Sequence, residues 1–417
     1  MGNSADWTNA PDANVSGGPN TKNEGYDDAV PRYEAPAASH DDGGMLSSEE
    51  GELINYKTLN WWQGGIVLIA ETVSLGILSL PSVLATVGLV PGIVLILVMS
   101  ALSTYSGVVL AEFRRAYPFV QNFGDAVEVM GQPIGMGRLF QEIFGWAQVV
   151  FQVFVMGSHL LTWTICLNTL TNSSTCTIVW AVVGLAVFWV LNLPRTLKWT
   201  SYMSMTSCLS ITVAMLMTLG DVATEKPIGS GSIEVARHLG FTGAFLAVTN
   251  IAVAFSSHSC FFSVIGEFKN PDDWPKALAL LQICDTTLYL LAAIVIYVYV
   301  GQDVPSPALS AAHSPTMRKA IWGYIFSRMF RDTKHMIRRT KLSFASWFSY
   351  GLPGIFWLWM HKGNYFSSKA QTCRFFANVV LFLTGFLICV LGLWASIEAI
   401  ATEKGTKPWT CASNAAE

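Results

Sequence analysis

The sequence predicts an all-α polytopic membrane protein whose helices fall into two inverted halves. Three observations carry that prediction. The first is composition: of 417 residues, 52% are hydrophobic and 13% charged, with a mean hydropathy of +0.43. That is too apolar for an ordinary soluble domain. The second is a series of apolar runs, each long enough as a helix to cross about 30 Å of hydrocarbon. The third is a polar interruption in the first and the sixth of these runs. One is Ala70-Glu71-Thr72-Val73-Ser74-Leu75-Gly76, the other Phe255-Ser256-Ser257-His258-Ser259. A carboxylate or an imidazole in hydrocarbon costs several kcal/mol, so each interruption marks a site rather than filler. The first and sixth runs would lead two five-helix repeats. Interrupted helices at matching positions in two halves point to the binding site of a secondary transporter.

The elements follow in order. Residues 1–57 are rich in Asn, Gly, Pro, Ser and acids, including Asp27, Asp28, Asp41, Asp42, Glu49, Glu50 and Glu52. Such a segment cannot bury a core and reads as a disordered acidic tail. Within it, Glu49-Glu50-Gly51-Glu52-Leu53-Ile54 has the form of an acidic dileucine sorting signal, the plainer reading being a solvated acidic run. Nine apolar runs follow: Gly64–Leu84, Val90–Leu110, Val149–Leu167, Cys176–Leu193, Tyr202–Leu219, Phe245–Ile265, Ala277–Val300, Phe344–Met360 and Phe375–Ile397. At about 17–25 residues each, all nine are expected to span. Between the seventh and eighth runs the pattern breaks. Ala320–Phe326, even extended to Phe330, makes about 17 Å of helix, too short to cross. Either the basic stretch from Arg328 to Lys341 sits outside against the charge rule, or 319–341 lies along the interface as an amphipathic helix. Residues 401–417 form a short C-terminal tail.

Charge sets the orientation. Arg114, Arg115 and Arg138 lie between runs two and three, Arg195 and Lys198 between four and five, Lys269 and Lys276 between six and seven. These alternate loops share one side, the cytoplasm by the positive-inside rule, and the acidic tail lies with them. The opposite side holds Asp221–His238 and Asn172-Ser173-Ser174, a glycosylation sequon. A net charge of -3 gives no electrostatic footprint for nucleic acid. The first fifty residues hold no apolar core of a secretory signal, and Asp6 stands where myristoylation wants Ser or Thr. Eight cysteines occur without any C-x-x-C spacing. Most sit in apolar runs as small hydrophobes (Cys166, Cys208, Cys260, Cys284, Cys389), while Cys176 and Cys411 share the outer side, where a disulfide between them is allowed. No nucleotide loop, metal cluster or catalytic triad is recognisable, so neither an enzyme nor a cofactor is expected.

At these residues a family resemblance appears. Phe255-Ser256-Ser257-His258-Ser259-Cys260, followed by Ile265-Gly266-Glu267-Phe268-Lys269-Asn270-Pro271, resembles the sixth-helix signature of the amino acid/auxin permease family. Ser74-Leu75-Gly76-Ile77-Leu78-Ser79-Leu80-Pro81 resembles its first-helix signature. The stretch from Phe344 to Trp357 is similar to the tenth helix of fungal neutral amino acid permeases. The resemblance covers about 57–300 and 343–400, and implies one amino acid transporter domain over 58–400. It implies a leucine-transporter-like bundle of eleven helices and uptake of neutral amino acids with protons, across the plasma membrane rather than a vacuolar or endosomal one. This chain departs at 316–343. Ala320-Ile321-Trp322-Gly323 resembles the start of the eighth helix and Phe330-Arg331-Asp332-Thr333 the loop after it. The apolar body between them and the ninth helix are missing, through an internal deletion or an imperfect gene model. The loss removes a wall of the family's central site and leaves about nine full helices.

The candidate substrate-binding residues are Ala70, Glu71, Ser74, Leu75, Gly76, Phe255, Ser256 and His258. A zwitterionic amino acid needs donors for its carboxylate and acceptors for its ammonium, and unwound helix segments supply both from backbone. Gly76 permits a close backbone approach and Pro81 weakens the hydrogen bonding one turn back; an ordinary kinked membrane helix is the plain alternative. Phe255 and the small Ser256 would shape the side-chain pocket. The proton-coupling candidates are Glu71, His258 and Asp285. A lone ionised carboxylate is disfavoured at the depth of Glu71, which suits a group that loads and releases a proton; the alternative is a permanently protonated Glu bonded to a neighbouring helix. Imidazole is the side chain whose charge changes nearest physiological pH, so His258 is either a titrating group or a satisfied structural histidine. Asp285 is a third ionisable group at depth, and His159 reads as packing. Trp347, Phe348 and Tyr350 either line an outer vestibule or pack.

Overall fold

The computed structural model describes residues 57, 59–191, 197–224, 232–332, 346–402 and 411. The acidic tail, its dileucine-like stretch, Arg195 and the basic residues 334–341 lie outside the described residues. Among the described residues the chain is all α, with one isolated bridge between Leu59 and Phe268. The helices are α1 (Trp61–Val87), α2 (Leu89–Ala116), α3 (Phe123–Gly131), α4 (Gly137–Thr171), α5 (Thr177–Leu191), α6 (Leu197–Thr224), α7 (Phe241–Ala254), α8 (Phe261–Gly266), α9 (Trp274–Val300), α10 (Pro315–Asp332), α11 (Leu352–Met360) and α12 (Lys369–Thr402). The chain is an integral multi-pass membrane protein, and its exposed apolar side chains follow from that. On α4, for example, Trp146, Val153 and Phe154 are 64–71% exposed, the pattern of a surface solvated by lipid rather than water.

The expectation of about nine full spans in a leucine-transporter-like inverted-repeat bundle is corrected. Among the described residues five stretches are long and apolar enough to cross: Leu89–Ala116, Gly137–Thr171, Phe241–Gly266, Pro271–Asp303 and Lys369–Glu398. A sixth arises if the bent pair Trp61–Val73 and Gly76–Val87 counts as one span. The reason is that an apolar run measures affinity for hydrocarbon, whereas a span needs that run to stay one continuous helix. The fourth run forms the 15-residue α5, shorter than the 18 residues that mark a spanning helix, and within α6 the apolar stretch among the described residues is Cys208–Thr224. Of the eighth run, a five-residue π segment over Trp347–Gly351 leads directly into the 9-residue α11, so the helix described there is also short. Two five-helix repeats require more full spans than these.

The bundle has two chemically distinct ends. At one, Leu59 pairs with the chain just after α8: its amide donates to the Glu267 carbonyl at 3.0 Å, and Lys269 N donates to the Leu59 carbonyl at 2.9 Å. The ends of α2 and α11 meet there, Tyr117 lying 5.8 Å from Trp359, and Arg374 approaches Glu112 at 3.6 Å. At the other end, the segment before α7 pairs with the start of α2, Leu89 N donating to Glu234 O and Val90 N to Val235 O. Asp221 Oδ2 accepts from His313 N at 2.6 Å. Thr242 Oγ1 donates to Glu398 at 2.7 Å. Cys176 and Cys411 form a disulfide at this end. Asn172 is there too, closing α4 in the left-handed region that asparagine tolerates (φ 52°).

As far as Asp332, α10 is not an amphipathic helix lying along the interface; the alternative that placed the basic stretch outside rests mainly on residues beyond those described. The helix enters the bundle beside α4 and α6 instead of lying along the surface. Leu170 faces Gly323, Cys166 faces the Trp322 carbonyl and Trp163 faces Phe326. Trp163, earlier in α4 than Cys166 and Leu170, meets the later α10 residue Phe326, so the two helices are antiparallel. Trp322 is 1% exposed and anchors the contact. Eighteen residues of helix reach about 27 Å.

Candidate functional site

The two polar interruptions meet. The halves of α1 join at an angle of 49° between Val73 and Gly76. Helix α7 stops at Ala254, Phe255 and Ser256 follow, and a 3-10 turn over Ser257–Cys260 leads into α8. The carbonyl of Ala254, in the last turn of α7, loses its intrahelical partner when the helix stops. A Cβ on Gly76 would lie 2.9 Å from the Ala254 Cα and 2.8 Å from the Tyr289 hydroxyl oxygen. Only the absence of a side chain lets the two breaks abut.

The expected residues divide into those at the junction and those beside it. Gly76 and Phe255 are buried at the junction. Ala70 and Glu71 lie one turn before the bend of α1, with Ala70 buried and Glu71 within electrostatic reach of Cys260. The backbone of Ser74 and Leu75 forms the bend, and their side chains lie outside the described residues. Ser256 turns back on its own helix, its hydroxyl donating to the Val253 carbonyl at 2.6 Å. His258 is fully buried and reaches α2. Its Nε2 lies 3.1 Å from the Ser103 carbonyl in α2 and must carry the proton in that bond. Its ring lies 4.5 Å from that of Phe261 and 6.0 Å from that of Tyr350. Asp285 is fully buried in α9 near Thr72, and neither carboxylate oxygen makes a hydrogen bond of ordinary geometry.

Sequence reasoning missed the side chain that joins the two breaks. The hydroxyl of Tyr289, one turn after Asp285, lies 2.7 Å from the Thr72 carbonyl before the bend of α1 and 2.9 Å from the Ala254 carbonyl at the end of α7. Its ring packs against Phe255 at 5.2 Å, close to edge-on. The signal was available: Gln282, Asp285, Thr286 and Tyr289 recur at three- and four-residue spacing, one polar stripe along an apolar helix. A matching stripe of Ser100, Ser103 and Ser106 on α2 ties the surroundings together. Ser100 bonds Thr286 at 2.5 Å, Ser103 accepts from Gln282 at 2.9 Å, and the Ser106 hydroxyl donates to the Ser349 carbonyl. Trp347, Phe348 and Tyr350 pack instead of lining an outer vestibule. Phe348 lies edge-on to Phe123 of α3 at 5.0 Å, toward the basic end.

This arrangement offers backbone acceptors and buried ionisable groups at mid-depth. Among the described residues no group of three or more His, Cys, Asp or Glu could hold a metal ion. Comparison with known proteins agrees with a transport role. The chain is 27% identical over 378 residues to the N amino acid transport system protein of Neurospora crassa, covering 82% of this chain and 78% of that one. It is 22% identical to a transmembrane transporter of Gibberella moniliformis, covering 90% and 94%. It is 21% identical to a transmembrane transporter of Fusarium pseudograminearum, covering 87% and 88%. The profile of the family described as transmembrane amino acid transporter protein matches residues 57–330, from just before α1 into α10, and so takes in both breaks. The chain therefore belongs to the transmembrane amino acid transporter family, with relatives among fungi.

Proposed function

We propose that this protein imports neutral amino acids across the plasma membrane together with protons, binding its substrate where the bend of α1 meets the end of α7. The observation that carries the reading is the contact of Gly76 with Ala254, which brings two broken helices together at mid-depth. Main-chain amides and carbonyls released at such breaks suit the two charges of a zwitterion. The name of the Neurospora crassa relative supports amino acids as the substrate class. Ala70, Ser74, Leu75, Gly76, Phe255 and Ser256 would form the walls. Glu71 is the proton carrier in this reading, with His258 and Asp285 as the other ionisable groups within the same layer. The basic end, with Arg114, Arg115, Lys269 and Lys276, faces the cytoplasm by the positive-inside rule, and Asn172 stands outside as a glycan acceptor. The test is uptake by the full chain in proteoliposomes with an imposed pH gradient. Glu71→Gln keeps size and hydrogen bonding but fixes the neutral state, so it abolishes proton-driven accumulation while leaving amino-acid exchange. Unchanged pH-driven accumulation in that variant refutes the role of Glu71.

A second reading has its own observation. Among the described residues the eighth apolar run forms the Trp347–Gly351 π segment and the 9-residue α11, and α10 has 18 residues. A family member with a shortened second half fits a non-transporting protein, a nutrient sensor or an inactive truncated permease. Saturable, pH-dependent uptake by the 417-residue chain in a permease-deficient host refutes that reading.

A further inference from the structure

We propose that Tyr289 is an internal latch that occupies the place of the substrate's ammonium group and must release before an amino acid is held. This rests on the reading of the junction between α1 and α7 as the substrate site, and assigns a positioning role there to a residue of α9. The argument begins with donors and acceptors. Two backbone carbonyls, Thr72 O and Ala254 O, converge on one hydroxyl at 2.7 and 2.9 Å. A phenol has a single hydrogen to donate, so it satisfies the two acceptors only by sharing. An ammonium carries three N–H donors and a full charge, and its hydrogen bonds are about twice as strong as neutral ones. The pair of carbonyls is therefore better matched to the ammonium than to the tyrosine that holds them.

The surroundings fit a latch in two further ways. Asp285 lies one turn before Tyr289 on the same helix, buried near Thr72, and places a carboxyl group close to the residue that carries one of the two acceptor carbonyls. The hydroxyl of Tyr289 also lies against Gly76, where a Cβ would come within 2.8 Å of it. The phenol thus fills the gap between the breaks, and its withdrawal opens space and acceptors together. Hydroxyl and ammonium compete for the same atoms, so the latch lowers affinity for molecules bearing an α-amine and does not act through the carboxylate.

Tyr289→Phe keeps the ring against Phe255 and removes only the competing hydroxyl. The experiment measures equilibrium binding to the purified full chain for each neutral L-amino acid, and for the tightest of them the same acid without its α-amine. The expected result is an affinity about tenfold higher for the amino acid in Tyr289→Phe, from the loss of a competing hydrogen bond, with no change for the des-amino acid. If Tyr289→Phe does not remain monodisperse, 4-fluorophenylalanine incorporated at position 289 fills the hydroxyl's volume without donating, and the same tightening is expected. Unchanged or weaker amino-acid affinity in a folded variant overturns the latch, and equal tightening for the des-amino acid overturns it too. Wild-type protein that is folded and binds no neutral amino acid overturns the site reading itself, and the latch with it.

Discussion

Replacing Gly76 by alanine tests the close approach of the two broken helices. The new Cβ would sit 2.9 Å from both Cα and Cβ of Ala254 and 2.8 Å from the Tyr289 hydroxyl. Two of those three atoms belong to a buried residue whose main chain must move. Overpacking of this kind costs about 1–3 kcal/mol. Displacing the phenol disturbs its bonds to Thr72 and Ala254, at about 1 kcal/mol each. Alanine gains back about 1 kcal/mol of helix propensity over glycine. The net loss is about 2–4 kcal/mol. Gly157 in α4 is the control: nothing stands within 4 Å of its added Cβ, so Gly157→Ala collects the propensity gain alone. The assay is the apparent melting temperature of each purified variant in one detergent at one scan rate, because membrane proteins unfold irreversibly and only matched scans compare. Gly76→Ala is expected to melt well below wild type and Gly157→Ala at or above it. Equal melting of the two variants would refute the close approach.

Two further outcomes are expected. Trp322 is 1% exposed where α10 meets the rest of the bundle, so Trp322→Ala should destabilise the protein by about 3–5 kcal/mol, read as loss of monodisperse protein on heating; an unaffected melt would show that α10 does not dock there. Peptide mapping without reduction should recover Cys176 joined to Cys411, and Cys176→Ser should cost about 2–5 kcal/mol; two free thiols in the purified protein would refute the link.

The legibility of this chain in its sequence varied with the physics behind each feature. The breaks at Val73–Gly76 and Phe255–Ser256 were readable because polar groups inside hydrocarbon are expensive and stand out against apolar neighbours. The disulfide was open to the sequence only as an allowed pair, since spacing says nothing of two cysteines 235 residues apart. The number of full spans was overestimated because hydropathy is blind to where a helix stops. The eighth run is apolar, yet its described part is a π segment over Trp347–Gly351 running on into the 9-residue α11, shorter than a span. Tyr289 was missed for a different reason. Its place in the polar stripe of α9 was readable, but what distinguishes it from its stripe neighbours is the convergence of two carbonyls from residues 35 and 217 positions away.

The serine stripe of α2 bears on how such a bundle can rearrange. Ser100, Ser103 and Ser106 succeed one another at intervals of three along one helix, yet their contacts lead to separate places: Thr286 and Gln282 on α9, His258 on the 3-10 turn, and Ser349 in the π turn. Each fastening is one neutral hydrogen bond or two, at about 1 kcal/mol apiece, and a hydroxyl can swing to a new acceptor without moving its backbone. Helix α2 thus ties α9, the 3-10 turn and the π turn through separate, individually weak polar contacts, any one of which can be exchanged at a cost of about 1 kcal/mol.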